Sequence, residues 1–98
     1  MRPLVIVPTY NERENAERII AAALAADPRV EVLIVDDNSP DGTGNIVEAM
    51  TKANPRVHLM RRAGKLGLGT AYRDGFRWGL GRNYEYLMEM DADFSHDP

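Results

Sequence analysis

Cysteine is absent from this chain, which excludes a disulfide framework, thiolate catalysis and zinc sites of the Cys type, and is compatible with a reducing cytoplasm. Aromatic residues are few, one Trp, two Phe and four Tyr, and a net charge of -3 comes from interspersed acids and bases. There is thus neither a basic face nor an aromatic platform for nucleic acid. No apolar run approaches the roughly 18 residues of a membrane span, so no transmembrane segment is expected in this chain. The run Leu4 to Val7 near the amino terminus is also too short for a signal peptide. What remains is 98 residues at 44% hydrophobic, enough for one small soluble domain with a real core and too few for two.

Apolar runs and helical periodicities alternate along the chain. Leu4 to Val7, closed by Pro8, reads as a buried strand. Asn11 with Glu14 resembles a capping box, and Ala16, Ile19, Ile20, Ala23 and Leu24 recur at helical spacing until Asp27-Pro28. A second buried strand, Val30 to Val35, leads through a polar turn, Asp36 to Gly44, into a helix carrying Ile46, Val47, Met50 and Ala53. A weaker strand, Val57 to Met60, precedes a glycine-rich loop and a helix in which Ala71, Gly75 and Gly79 fall four apart. Glycine costs roughly 1 kcal/mol against Ala inside a helix, so that spacing predicts a flat face pressed on a sheet. Tyr86 to Met90 is the fourth strand. The alternation predicts a parallel α/β sheet with helices on both faces.

Such sheets bind ligands beyond the carboxyl ends of their strands, and here those ends carry nearly all the polar chemistry. The fourth strand runs into Asp91-Ala92-Asp93-Phe94-Ser95-His96. Strand side chains alternate with period two, so Asp91 and Asp93 point the same way and suit one hard cation, Mg or Mn, shared with a substrate diphosphate. An acidic turn that is merely solvated is the plainer reading. His96 is set aside as a ligand because imidazole suits Zn better than Mg.

Asp36 and Asp37 end the most apolar strand, where one contacts a nucleoside and the other caps the turn. Pro8, Thr9, Tyr10, Asn11 and Glu12 follow the first strand and offer backbone groups and a carboxylate to a base. Asp41-Gly42-Thr43 reads as a turn and helix start. Gly64-Lys65-Leu66-Gly67-Leu68-Gly69-Thr70 is no Walker loop, because its Lys precedes the last two glycines. Lys65 and Arg62 are candidate phosphate contacts there. His58, Phe76 and Trp78 read as structural.

Four segments in this order resemble the polyprenol (dolichol) phosphate mannosyltransferases, inverting members of the family 2 glycosyltransferases. They are Val7 to Asn15, Val35 to Thr43, Lys65 to Tyr72 and Met90 to His96. The resemblance implies a three-layer, Rossmann-like GT-A fold with sheet order 3-2-1-4. It implies that the first-strand loop and Asp37 hold the nucleoside, that Asp91 and Asp93 bind Mg or Mn, and that Ser95 stands where some relatives carry a Gln ligand. It further implies GDP-mannose as donor, and as acceptor a polyprenyl phosphate at the cytoplasmic face of a membrane. A phosphate monoester is largely dianionic near neutral pH, so this acceptor needs no dedicated base, whereas the leaving diphosphate needs a Lewis acid. Relatives continue past the Asp-Ala-Asp segment into the acceptor half. Residues 1–98 are therefore expected to be the donor and metal half-site of a larger transferase, inactive alone and self-associating through an exposed sheet edge.

Three alternatives stay open at this point. A polyprenyl-phosphate glucosyltransferase using UDP-glucose is the nearest. A response-regulator receiver would share the acidic strand ends, although receivers begin with the strand that bears the acidic pair. A non-catalytic nucleotide-binding module is the third.

Overall fold

The computed structural model of the protein describes residues 2–64 and 67–90. They form β1 (Pro3–Thr9), α1 (Ala16–Ala26), β2 (Glu31–Asp36), α2 (Thr43–Ala53), β3 (Val57–Arg61), α3 (Leu68–Leu80) and β4 (Tyr86–Glu89). The sheet order is β3-β2-β1-β4 and every pair is parallel, as the resemblance implied.

The period-two alternation of β1 and β2 sorts the core into two faces. Val5, Val7, Val32 and Ile34 pack with Ile19, Ile20 and Ala23 of α1 and Val47 of α2. Leu4, Ile6, Leu33 and Val35 pack on the other face with Ala71 of α3 and with Tyr84, flanked by Phe76 and Trp78. Both central strands are thus apolar on two sides, which is why they read as continuous hydrophobic runs. Each of the Val, Leu and Ile side chains among them, once fully buried, contributes about 1.5–3 kcal/mol. The glycine spacing in α3 does bring helix and sheet together: a Cβ built on Gly79 would lie 2.7 Å from Leu87 Cδ2 and 3.0 Å from Leu4 Cδ2.

The start of α1 differs from the sequence expectation. Asn11 does not cap it, because the helix begins only at Ala16, and Asn11, with a left-handed backbone at φ 54°, lies in the loop four residues before the N-cap position. The Glu12 carbonyl instead accepts from the N–H groups of Asn15 and Ala16, closing a separate turn ahead of the helix. Glu14 is exposed, and Asn15 takes the N-cap position without a side-chain bond. The cost of that missing cap, about 1 kcal/mol, is borne by an element whose stability comes from its buried face.

Candidate functional site

Two loops meet at the carboxyl ends of β1 and β2, and side chains bolt them together. Thr9 ends β1 opposite Asp36, which ends β2. The Thr9 hydroxyl donates to Asp36 Oδ1 at 2.7 Å; the Ser39 hydroxyl donates to the same oxygen at 2.6 Å and the Ser39 N–H to Oδ2 at 3.0 Å. Asp36 is only 1% exposed, so its cost of burial is met by these donors. Ser39 Oγ in turn accepts from the Asn11 N–H at 2.9 Å. Asn38 shares the left-handed backbone of Asn11, a conformation that Asn tolerates better than most residues.

A second bolt lies farther out. The Glu12 N–H donates to Thr43 Oγ1 at 3.0 Å, and Asp41 accepts from the Thr43 hydroxyl, the Thr43 N–H and the Arg13 N–H. Burial pushes the Asp41 carboxyl up, but these donors and the charge of Arg13 outweigh it and hold it below the ordinary aspartate value. Asp41-Gly42-Thr43 is a turn and helix start, as read, with Gly42 at φ 91° in the N-cap position.

Arg62 forms the third connection. Its N–H donates to the Asp36 carbonyl at 2.8 Å. Its guanidinium grips Asp37 as a fork, Nε to Oδ1 at 2.6 Å and Nη2 to Oδ2 at 2.8 Å. The remaining donors reach Thr70 Oγ1 and Asp74 Oδ2, each at 3.0 Å, and the Gly67 carbonyl at 3.2 Å. The side chain is 5% exposed. Asp37 raises its pKa above the ordinary arginine value against the opposing effect of burial, with Asp74 adding to the rise. Of the two candidate phosphate contacts, Arg62 is committed elsewhere: all five of its side-chain N–H donors serve internal partners.

Of the residues read from sequence as nucleotide contacts, the fold brings together Pro8, Thr9, Tyr10, Asn11, Glu12, Asp36 and Asp37 on one edge. Pro8, Tyr10 and Glu12 are half-buried, Asn11 is exposed, and Thr9, Asp36 and Asp37 are buried. Lys65, Asp91, Asp93 and Ser95 lie outside the described residues, as does His96. The last described residue, Met90, donates its N–H to the Ile6 carbonyl at 3.0 Å. Among the described residues no group of three or more His, Cys, Asp or Glu is placed to hold a metal. No described helix is long and apolar enough to cross a membrane.

His58, Trp78 and Tyr84 are structural, and they lie at the far, amino end of β2. Glu31 Oε1 is 2.7 Å from His58 Nε2 and accepts from the Tyr84 hydroxyl at 2.6 Å. Trp78 stacks on Tyr84 with ring centroids 5.9 Å apart. Sequence reasoning did not identify this cluster or the roles of Asp74, Thr70, Ser39 and Thr43. The available signal was a single charge pattern: an arginine just past β3, beside a strand ending in two aspartates.

This architecture, a parallel 3-2-1-4 sheet with its polar loops at one edge, is matched by comparison with known proteins. Residues 4–98 match the model of glycosyl transferase family 2, and the chain belongs to that family. It is 56% identical to the polyprenol monophosphomannose synthase of Mycolicibacterium smegmatis, over 99% of this chain and 37% of that protein. It is 51% identical to the undecaprenyl-phosphate mannosyltransferase of Micrococcus luteus, over 100% of this chain and 40% of that protein. The chain therefore spans well under half the length of these curated relatives. Among solved structures, the mannosyltransferase PcManGT of Pyrobaculum calidifontis, in complex with GDP-Man and Mn2+, superposes with a TM-score of 0.77 at 28% identity, covering 94% of this chain and 27% of that one. TarS of S. aureus gives a TM-score of 0.75 at 26% identity, over 95% of this chain and 17% of that one. Family membership displaces the receiver reading, and β1 with α1 ahead of the acidic strand end agrees with that.

Proposed function

We propose that these residues form the donor-nucleotide part of a metal-assisted, inverting transferase that moves mannose from GDP-mannose to a polyprenyl monophosphate at a membrane surface. The observation that carries this is the whole-chain identity of more than half to proteins named for that transfer to polyprenyl phosphates. The structural neighbour crystallised with GDP-Man and Mn2+ supports the donor and the use of a divalent metal.

In this reading Pro8, Thr9, Tyr10, Asn11 and Glu12 wall one side of the nucleoside and Asp37 the other. Asp36, closed in by Thr9 and Ser39, acts by holding the two walls at a fixed distance. Asp91 and Asp93, together with Ser95, would hold Mg or Mn, and Lys65 would meet the diphosphate. A bound cation would supply charge to the leaving nucleoside diphosphate. A dianionic acceptor phosphate is itself the nucleophile, which accounts for the lack of any assigned general base.

The test is calorimetric titration with GDP-mannose, GDP and UDP-glucose, each with Mn and with EDTA, on the intact protein and on Asp91→Ala. Metal-dependent GDP binding that Asp91→Ala abolishes is the expected result, together with mannosyl transfer to a polyprenyl phosphate. Binding without metal dependence would favour a nucleotide-binding module instead. A UDP-sugar donor is the second reading, favoured by the TarS structure in complex with UDP; preference for UDP-glucose in the same titration would establish it.

A further inference from the structure

Asp74 belongs to no motif, yet it reaches the nucleoside wall through Arg62. It lies on α3, with Oδ2 at 3.0 Å from Arg62 Nη1. Its side chain is 29% exposed where that of Arg62 is 5% exposed. Thr70, one helical turn earlier, supplies the other acceptor of Nη1 at 3.0 Å. Arg73 approaches the outer oxygen of Asp74 at 3.5 Å from solvent, where water screens it.

Two carboxylates on different elements therefore share one guanidinium, Asp37 beyond β2 and Asp74 on α3. The guanidinium is planar and rigid, so fixing Nη1 also fixes the plane that Nε and Nη2 present to Asp37. An ionised carboxylate has acceptor room for about four hydrogen bonds, of which the fork of Arg62 takes two. A cation drawn on by a second carboxylate also withdraws less charge from the first. Both effects keep Asp37 oriented and strong as an acceptor for the N–H donors of a nucleobase.

We infer that Asp74 is a positioning residue for nucleoside recognition, acting through Arg62 on Asp37. The inference rests on the proposed reading of this edge as a nucleotide site. It adds that part of the affinity for the base, and none of that for the diphosphate, depends on a side chain that touches neither.

The experiment measures GDP and inorganic pyrophosphate binding, both with Mn, by calorimetry on the intact protein and on Asp74→Ala, Asp74→Asn and Asp74→Glu. Loss of a partly exposed charged contact predicts a Kd for GDP raised about three- to ten-fold in Asp74→Ala. Pyrophosphate affinity stays at the wild-type value, Asp74→Asn falls between, and Asp74→Glu recovers most of the GDP affinity. Equal weakening of GDP and pyrophosphate would show a general structural role and overturn the inference, as would unchanged GDP binding in Asp74→Ala. Should Asp74→Ala fail to fold, the near-isosteric Asp74→Asn decides by the same ratio. A wild-type protein that binds pyrophosphate but no GDP would instead refute the nucleotide reading itself, and the inference with it.

Discussion

Gly75 of α3 lies so close to Ile6 of β1 that a Cβ built on it would sit 2.5 Å from Ile6 Cγ2. Ile6 is fully buried, in an interior packed densely enough that a shift of its side chain is costly. Gly75→Ala therefore forces the helix off the sheet, at about 1–3 kcal/mol for overpacking, against about 1 kcal/mol regained in helix propensity. The expected net result is a loss of stability, read as a lower urea midpoint. Gly69→Ala is the control, since nothing lies within 4 Å of its Cβ position, and it leaves the midpoint equal or higher.

Asp36 separates charge from geometry. In Asp36→Asn the amide oxygen still accepts from the Ser39 N–H, and the amide NH2 faces the hydroxyls of Thr9 and Ser39, which rotate to accept it. The expected loss is below about 1 kcal/mol. Asp36→Leu leaves two hydroxyls and an N–H buried without their acceptor, at about 1–3 kcal/mol for each group that water fails to reach. Urea unfolding of the two variants checks the contrast; equal losses would contradict it.

Stability falls on both sides of neutrality for reasons lodged in the cluster around Glu31. Burial pushes Tyr84 up to about 12, with the Glu31 carboxylate adding to it. A raised folded pKa means stability present below the ordinary tyrosine value near 10 and lost as pH climbs from there toward about 12. Burial also pushes Glu31 up, but hydrogen bonds from Tyr84 and His58 and the charge of Arg2 outweigh it and leave its pKa below 4.5. That contribution is present above 4.5 and lost as pH falls below it. In Tyr84→Phe the alkaline decline flattens and the acid one weakens, as measured by urea midpoint against pH.

β4 pairs only with β1 among the described residues, and Tyr86 and Met88 on it are 56% and 42% exposed. An open edge with apolar side chains invites pairing with another chain. The 98-residue chain, expressed alone, is expected to self-associate in light scattering. Met88→Lys should shift it toward monomer; a monodisperse monomer before any substitution would contradict the prediction.

Much of the fold was legible in the sequence because a strand buried on both faces leaves a continuous apolar run. Val5, Val32 and Ile34 announce themselves without any knowledge of their neighbours. The strand order is different in kind: it followed from likeness to a family, since no periodicity records which strand lies beside which. The start of α1 was misplaced because Asn11 and Glu14 fit a cap by spacing alone, whereas a left-handed Asn11 serves the loop. The structural role of Arg62 is hidden in the sequence for a related reason. Its attachment to Asp37 depends on a register that sets Asp36 beside Arg61, and a single sequence does not print a register.

The bolts of the site also fix when it is made. Thr9 reaches Asp36 across 27 positions, Glu12 reaches Thr43 across 31, and Arg62 reaches back 25 to Asp37. Each such closure loses chain entropy before its hydrogen bonds form. This edge of the sheet is accordingly expected to be a late product of folding: while β3 and α3 are still undocked, Asp37 has no arginine to hold it.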